Sequence, residues 1–437
     1  MKRIITSIAK YVCIAACVLL AAACSSKSTS ELEGLIGDNA TAAVFVSQDA
    51  IVKSFDIKDG VLPEDITRDG MSTQDRRQLE HILQLRGYDS KHLLFLTYEK
   101  MSTPVMAALI TDEDALKESL SAADFEQSST GYVNHDLNMS MLLREGICWM
   151  VSSDQNAADN VEMACRECSS APAAEWKIEK LNDMSDADIY GIVYQNKNHF
   201  VFNATLKGPK LSGNMLMLDD EGNAMIDTSN NTKTDLSAIS RYLDRQATVG
   251  LLFAGLKSMP ELTSAAALYG YAELAELTTA QAAVNLQIID PMSTNAGDFS
   301  NYAVQIALEA QPGKAEQLLG CVNSLIESEI GVQSSGSATH RTFNLLLWKF
   351  TLDVEDNFVV ARYGKTNIKE PVSTGDNDGQ FLHLFANVPS KLGLLNQLPF
   401  GMTLSIKADT DHISYDAEFT DTKLGFLHCI YLIPRYI

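Results

Sequence analysis

The chain has 437 residues, a formal net charge of −22 and 46% hydrophobic residues. That length and apolar content suit two globular domains, each with its own core. The acidic balance excludes the clustered cations that nucleic acid or anionic lipid would require, and the acids are scattered as a solvated surface rather than gathered in a tail.

Lys2, Arg3 and Lys10 precede an apolar run from Tyr11 to Ala23. The run is shorter than the ~20 residues of a membrane-spanning helix, so it reads as a signal peptide. Ala21-Ala22-Ala23 supply the small residues before a cut, and Cys24 follows, leading into the polar "SSKSTSE". The order resembles a bacterial lipoprotein signal, in which the cysteine is acylated and becomes the new N-terminus. Ala21 stands where Leu is usual, with Leu20 one place early. Ile14-Ala15-Ala16-Cys17 fits the consensus better, but its use would leave a hydrophobic core interrupted by Lys10. The other reading is an ordinary secretory signal with an incidental cysteine. Cys24 is the expected lipidation site, with residues 1–23 as signal peptide and 24–31 as tether.

Next, "NATAAVFVSQDAIVKSF" gives a short buried strand over 42–47 running into a helix-like turn. "STQDRRQLEHILQLRG" places Leu79, Ile82, Leu83 and Leu85 at helical spacing, with Ser72 or Thr73 as N-cap and Gly87 as stop. Strands follow at "HLLFLTYE" and "PVMAALIT". Thr111-Asp112-Glu113-Asp114 then forms a capping box for a helix through Ala122. "NMSMLLRE" and "ICWMVSS" meet at Glu145-Gly146 as a hairpin, and a helix over 155–168 comes next. Residues 187–228 read as an antiparallel meander.

Five cysteines lie beyond Cys24, at 148, 165, 168, 321 and 429, an odd number that cannot be fully paired. Cys165 and Cys168 resemble a redox pair. They fall late in their helix, however, where its dipole raises a thiol pKa, and at i and i+3 they stand ~5–6 Å apart at Cβ against the ~3.8 Å a disulfide needs. They are expected as packed thiols.

The second half repeats the order of the first with an offset of about 200 residues. "QATVGLLFAGLKSMPEL" at 246 follows the pattern at 39, and "NYAVQIALEAQPGKAEQLLGCVNSLI" at 301 that at 103. "RTFNLLLWKFTLDVEDNFVVARYG" answers the hairpin, while "DGQFLHLFANV" with "GMTLSIKADTDHISYDAEFTD" answers the meander. The fold expected is α+β, as two similar repeats over 32–235 and 236–437. Each would be an antiparallel sheet with packed helices and a C-terminal β-meander, with "TSNNTKTD" at 228 as the junction. The Ala-rich stretch from Pro260 to Val284 is expected as a buried helix of the second repeat.

A lipoprotein signal, the opening strand "DNATAAVFV", and α+β repeats ending in long hairpins resemble a family of uncharacterised cell-envelope lipoproteins of Bacteroides-type bacteria, built on a domain of unknown function. Where members carry Ile-Pro before that strand, this chain has Ile36-Gly37. The resemblance implies a cell-envelope location and brings no catalytic residues. Surface export in that group resembles a process needing acids close to the lipid. Here the first acids are Glu31 and Glu33, which points to the periplasmic face of the outer membrane.

Motifs with chemistry are sparse. Gly364-Lys365-Thr366 resembles the end of a phosphate loop but has Val359 where the first glycine belongs. Asp376, Asp378 and Gly379 form a fragment of a calcium loop without its later acids. His412 sits in a hairpin turn with Asp409 and Asp411, and no histidine has a second ligand at metal spacing. No catalytic residue, metal site or cofactor is expected. Three function classes stay open: a non-enzymatic binding or structural module with an envelope protein or glycan partner, a carrier of an apolar ligand, and a hydrolase with a dispersed active site. The first is preferred.

Overall fold

The computed structural model describes residues 30–64, 83–101, 103–153, 155–195, 197–225, 236–254, 272–290, 299–345, 348–364, 370–372, 380–387, 400–408 and 412–433, with positions 76, 80 and 368. The chain forms two compact units. The first holds residues 1–225 and takes back 423–432, and the second holds 226–422 and 433–437.

In the first unit the strands are β1 (Ala40–Val46), β2 (Leu93–Tyr98), β3 (Val105–Leu109), β4 (Glu126–Gln127), β5 (Tyr132–Asn134), β6 (Met139–Arg144), β7 (Ile147–Val151), β8 (Ile189–Gln195), β9 (Asn198–Lys207) and β10 (Lys210–Leu218). They pair antiparallel in the order β4-β5-β6-β7-β3-β2-β1-β8-β9-β10. Central strand β3 is buried at every position because both faces of the sheet are covered. Val105, Ala107 and Leu109 join one core with Phe45, Leu96 and Trp149; Met106 and Ala108 join another with Cys148, Leu116 and Leu120.

The helices are α1 (Ser30–Glu33), α2 (Gln48–Ser54), α3 (Glu113–Ala122), α4 (Ala157–Ser170) and α5 (Glu175–Asp183). Asp112 rather than Thr111 caps α3, its carboxylate accepting from the Ala115 amide at 3.0 Å. The expected hairpin closes at Glu145-Gly146, both with positive φ, so that Arg144 faces Ile147 across a two-residue turn. The amphipathic helix expected over 72–87 lies largely outside the described residues.

In the second unit, α6 (Ser237–Ser240) precedes β11 (Val249–Ala254), and α7 (Ala272–Leu277) runs directly into β12 (Thr278–Ile288). Then come β13 (Tyr302–Ala310), α8 (Ala315–Ile330), β14 (Ser335–Gly336), β15 (His340–Leu345), β16 (Trp348–Glu355), β17 (Phe358–Tyr363), β18 (Gln380–Ala386), β19 (Gly401–Ala408) and β20 (Ile413–Thr420). The order is β14-β15-β16-β17-β13-β12-β11-β18-β19-β20, again antiparallel. The last helix, α9 (Phe426–Leu432), packs in the first unit.

Two expectations are corrected. The chain is not a pair of similar α+β repeats with helices packed on each sheet. Antiparallel strands dominate, and of nine α-helices among the described residues only α4 and α8 exceed ten residues. The strands of the two units follow a like order, which is what the paired sequence patterns register, but α4 and α5 have no counterpart among the described residues of the second unit. α4 and α5 lie between β7 and β8, whereas the corresponding link from β17 to β18 runs only from 364 to 379. Alternation with period 2 marks any antiparallel strand, and connection length decides where a helix fits. The second correction concerns the Ala-rich stretch. It is helical over Ala272–Leu277 and then becomes β12, where Ala283 packs fully buried beside Ala307 and Leu252 in the core; residues 260–271 lie outside the described set. No helix among the described residues is long and apolar enough to cross a membrane.

Candidate functional site

Several residues singled out by sequence lie outside the described residues: Cys24, Lys365, Thr366, Asp376, Asp378, Gly379, Asp409 and Asp411. Gly364 has φ +71 just after β17, and a Cβ there would stand 2.7 Å from the Tyr302 carbonyl, so this glycine serves a tight strand end. His412 directly precedes β20. Among the described residues no group of three or more His, Cys, Asp or Glu could hold a metal ion.

None of the five described cysteines is joined to another in a disulfide. Cys168 Sγ donates to the Cys165 carbonyl at 3.1 Å, the geometry of packed thiols along a helix. Burial pushes Cys165 up, and Cys148 up to about 12. Alkylation of the native protein near neutral pH is therefore expected to modify the partly exposed Cys165 and Cys321 slowly. Cys148, Cys168 and Cys429 should react only in denaturant, as read by mass spectrometry.

Four imidazole–carboxylate pairs stand out among the described residues, joining residues that sequence reasoning left apart. His428 and Asp56 (2.9 Å) are separated by 372 positions, and the His428 side chain is 2% exposed, so the pair is a structural tie. His340 Nδ1 meets Asp353 at 2.6 Å, while its Nε2 is taken by Thr342. His199 Nε2 meets Asp220 at 3.3 Å, with the imidazole enclosed by Trp176 and Tyr194. His92 differs from these. Its Nδ1 lies 3.0 Å from fully buried Asp89, and its side chain, 32% exposed, lines a cleft of about 350 Å³ with Ser47, Lys53, Lys91 and Asp186. Asp89 also accepts from the Lys91 amide at 2.9 Å, which fixes its carboxylate. His92 Nε2 makes no hydrogen bond to a described residue.

His199 also has a pH consequence. Burial, followed by the Lys177 ammonium, lowers its pKa; burial, Lys407 and Arg245 lower that of His383. Both imidazoles are then neutral in the folded chain at pH values where the unfolded chain binds protons, so their contribution is present above the unfolded pKa of ~6.5 and lost as pH falls through the folded values. The urea midpoint is expected to drop between about pH 7.5 and about pH 5.5, and His199→Gln should flatten that slope.

The larger arrangement belongs to the second unit. Strand register places Thr351, Arg362, Gln305 and Asn285 side by side across β16, β17, β13 and β12. This is a polar row in a sheet that is otherwise apolar at its centre. Two of its members are joined directly, and two share a backbone partner. Arg362 Nε donates to Gln305 Oε1 at 3.2 Å, and Gln305 Nε2 donates to the Tyr242 carbonyl at 3.4 Å. Asn285 donates to the same carbonyl and accepts from the Asp244 amide at 2.8 Å. The row thus pins the turn after α6 onto the sheet, Gln305 and Asn285 being almost fully buried.

That turn carries Arg241 and Tyr242. The Arg241 guanidinium lies over the rings of Tyr242 (4.9 Å) and Phe358 (5.1 Å) and donates to Asp356 at 2.9 Å. Arg362 Nη1 pairs with Glu355 at 2.6 Å and approaches Asp353 at 3.5 Å, and the Tyr242 hydroxyl donates to Glu355 at 3.2 Å. Arg241, Tyr242, Gln305, Glu355, Asp356, Arg362 and Ile368 line an open cleft of about 500 Å³, within the range of small-molecule sites.

No family model, curated protein or solved structure matches the chain. The site is therefore read from its own chemistry. Sequence reasoning missed this cleft because its residues come from four separate segments, and only the strand register brings Gln305 opposite Arg362.

Proposed function

We propose that the chain is a cell-envelope lipoprotein, anchored through Cys24 at the periplasmic face of the outer membrane, that acts as a non-enzymatic binding module. The carrying observation is the Arg241–Arg362 cleft, whose charged groups are held by one another and by a buried polar row. Such groups form a preorganised set of donors and acceptors, which favours recognition at low entropic cost. A lipid anchor suits this role, because confinement at a membrane raises the effective concentration of a partner.

Two measurements test the reading. Cells fed a clickable fatty acid should label the protein, and Cys24→Ala should lose both the label and the membrane fractionation; a variant that keeps both refutes the anchor. Purified mature protein should bind envelope extract components, and Arg362→Ala should weaken that binding.

A second reading, a hydrolase, is favoured by the Asp89–His92 pair, in which a buried carboxylate orients an imidazole with one nitrogen open to a cleft. Ester, glycoside, peptide and phosphate substrates test it. Turnover lowered ~10²–10⁴-fold in His92→Gln would support it, and turnover indifferent to that change would remove it.

A further inference from the structure

We infer that the second-unit cleft binds a neutral, polyhydroxylated ligand, a hexose unit of an uncharged glycan; the inference rests on the binding function proposed above and names the ligand class.

The first ground is charge. Four charged side chains line the cleft, and Arg241 and Arg362 are matched by Asp356 and Glu355. Each arginine is already paired within 2.9 Å. An anionic ligand would have to displace a carboxylate from its guanidinium, and a cationic one would have to displace a guanidinium from its carboxylate. A neutral ligand displaces neither.

The second ground is the hydrogen-bonding capacity left over. Arg241 uses one nitrogen, Nη2, for both Tyr242 and Asp356, so its Nε and Nη1 make no hydrogen bond to a described residue. Arg362 commits Nε to Gln305 and Nη1 to Glu355 and Asp353, and its Nη2 makes no hydrogen bond to a described residue. Toward the described residues Asp356 uses only Oδ2. Spare donors and a spare acceptor therefore stand next to each other. A vicinal diol has the same character, since each hydroxyl donates one proton and accepts at its lone pairs, and charged partners strengthen each such bond.

The third ground is rigidity. Arg241 is stacked on two rings and Arg362 is fixed in a row of buried amides, so neither side chain must be ordered when the ligand binds. Ile368, half-buried at the edge, offers apolar contact to the carbon face of a sugar ring.

The test is a titration of the full mature chain, by calorimetry, with maltoheptaose, xylohexaose and mannan oligosaccharide. Oligogalacturonate, heparin and a tryptic digest of casein serve as competing classes. Two variants suit it because neither side chain is buried: Asp356→Asn, whose left-handed backbone asparagine tolerates, and Arg241→Gln. The expected result is binding of at least one neutral oligosaccharide, weakened about ten- to a hundredfold by either variant while the thermal transition is unchanged. Cleft-dependent binding of an anionic glycan or of peptides instead overturns the ligand class and leaves the binding function standing. Binding of neutral glycans that ignores both variants overturns the site. Failure of all three neutral oligosaccharides, with none of the competing classes bound, overturns the ligand class together with the binding function of this cleft.

Discussion

Ending the chain after Thr422 is expected to destabilise the first unit by about 5 kcal/mol or more. The segment it removes carries Phe426, Cys429 and Leu432, all buried in the first unit, and each buried apolar side chain contributes about 1.5–3 kcal/mol. Leu427 and Tyr431 pack on the cluster of Val46, Ile51, Phe55 and Leu83, which would be exposed by the cut. Polar ties add to this. Asp56 accepts from the Gly425 amide at 2.7 Å and from His428 at 2.9 Å, and Ser54 Oγ accepts from the Leu427 amide at 3.0 Å. Two point changes separate these contributions. His428→Ala should cost about 1–3 kcal/mol. Gly425→Ala should disturb the junction itself, since its Cβ would stand 2.1 Å from the Ser54 carbonyl. Tryptophan fluorescence in a Trp176→Phe, Trp348→Phe background, where Trp149, 1% exposed, is the remaining indole, reports the transition. An unchanged urea midpoint in the truncated chain would show that this helix is not part of the first unit's cooperative structure.

Asn285→Leu is expected to cost about 3 kcal/mol in the second unit, because the buried Asp244 amide loses its partner and the Tyr242 carbonyl loses its nearer one, at about 1–3 kcal/mol for each unmet group. The consequence reaches the cleft. Asn285 does not line it, yet it holds the turn that presents Arg241 and Tyr242, so ligand binding should weaken as well. Asn285→Asp keeps the acceptor for the Asp244 amide and should recover part of the stability while placing a carboxylate against the Tyr242 carbonyl. Equal losses in both variants would mean that the polar row is not what fixes the turn.

What was legible in the sequence was local. The Glu145-Gly146 turn, the apolar run of β1 and the helix ending at Ala122 each depend on a few neighbouring residues, and each forms where expected. The Ala-rich segment was misread because its helix propensity is strong and continuous, whereas the place of β12 between β11 and β13 requires small side chains, which the same alanines supply. Sequence spacing favours one element and tertiary packing favours the other. The polar row was illegible for a different reason. Asn285, Gln305, Thr351 and Arg362 look like surface residues of separate strands until register aligns them. His92 stands three residues from Asp89, close enough to notice, but nothing in the sequence tells that this aspartate is fully buried while the imidazole stays partly exposed.

The most direct test of a binding role is photo-crosslinking in living cells from a reactive amino acid placed at Ile368, which lines the cleft without joining its charge network. Recovery of one reproducible envelope component, lost when Arg362→Ala is introduced into the same chain, is the expected result. Crosslinks indifferent to Arg362, together with substrate turnover by the purified protein that disappears in His92→Gln, would contradict it and move the function to the first unit.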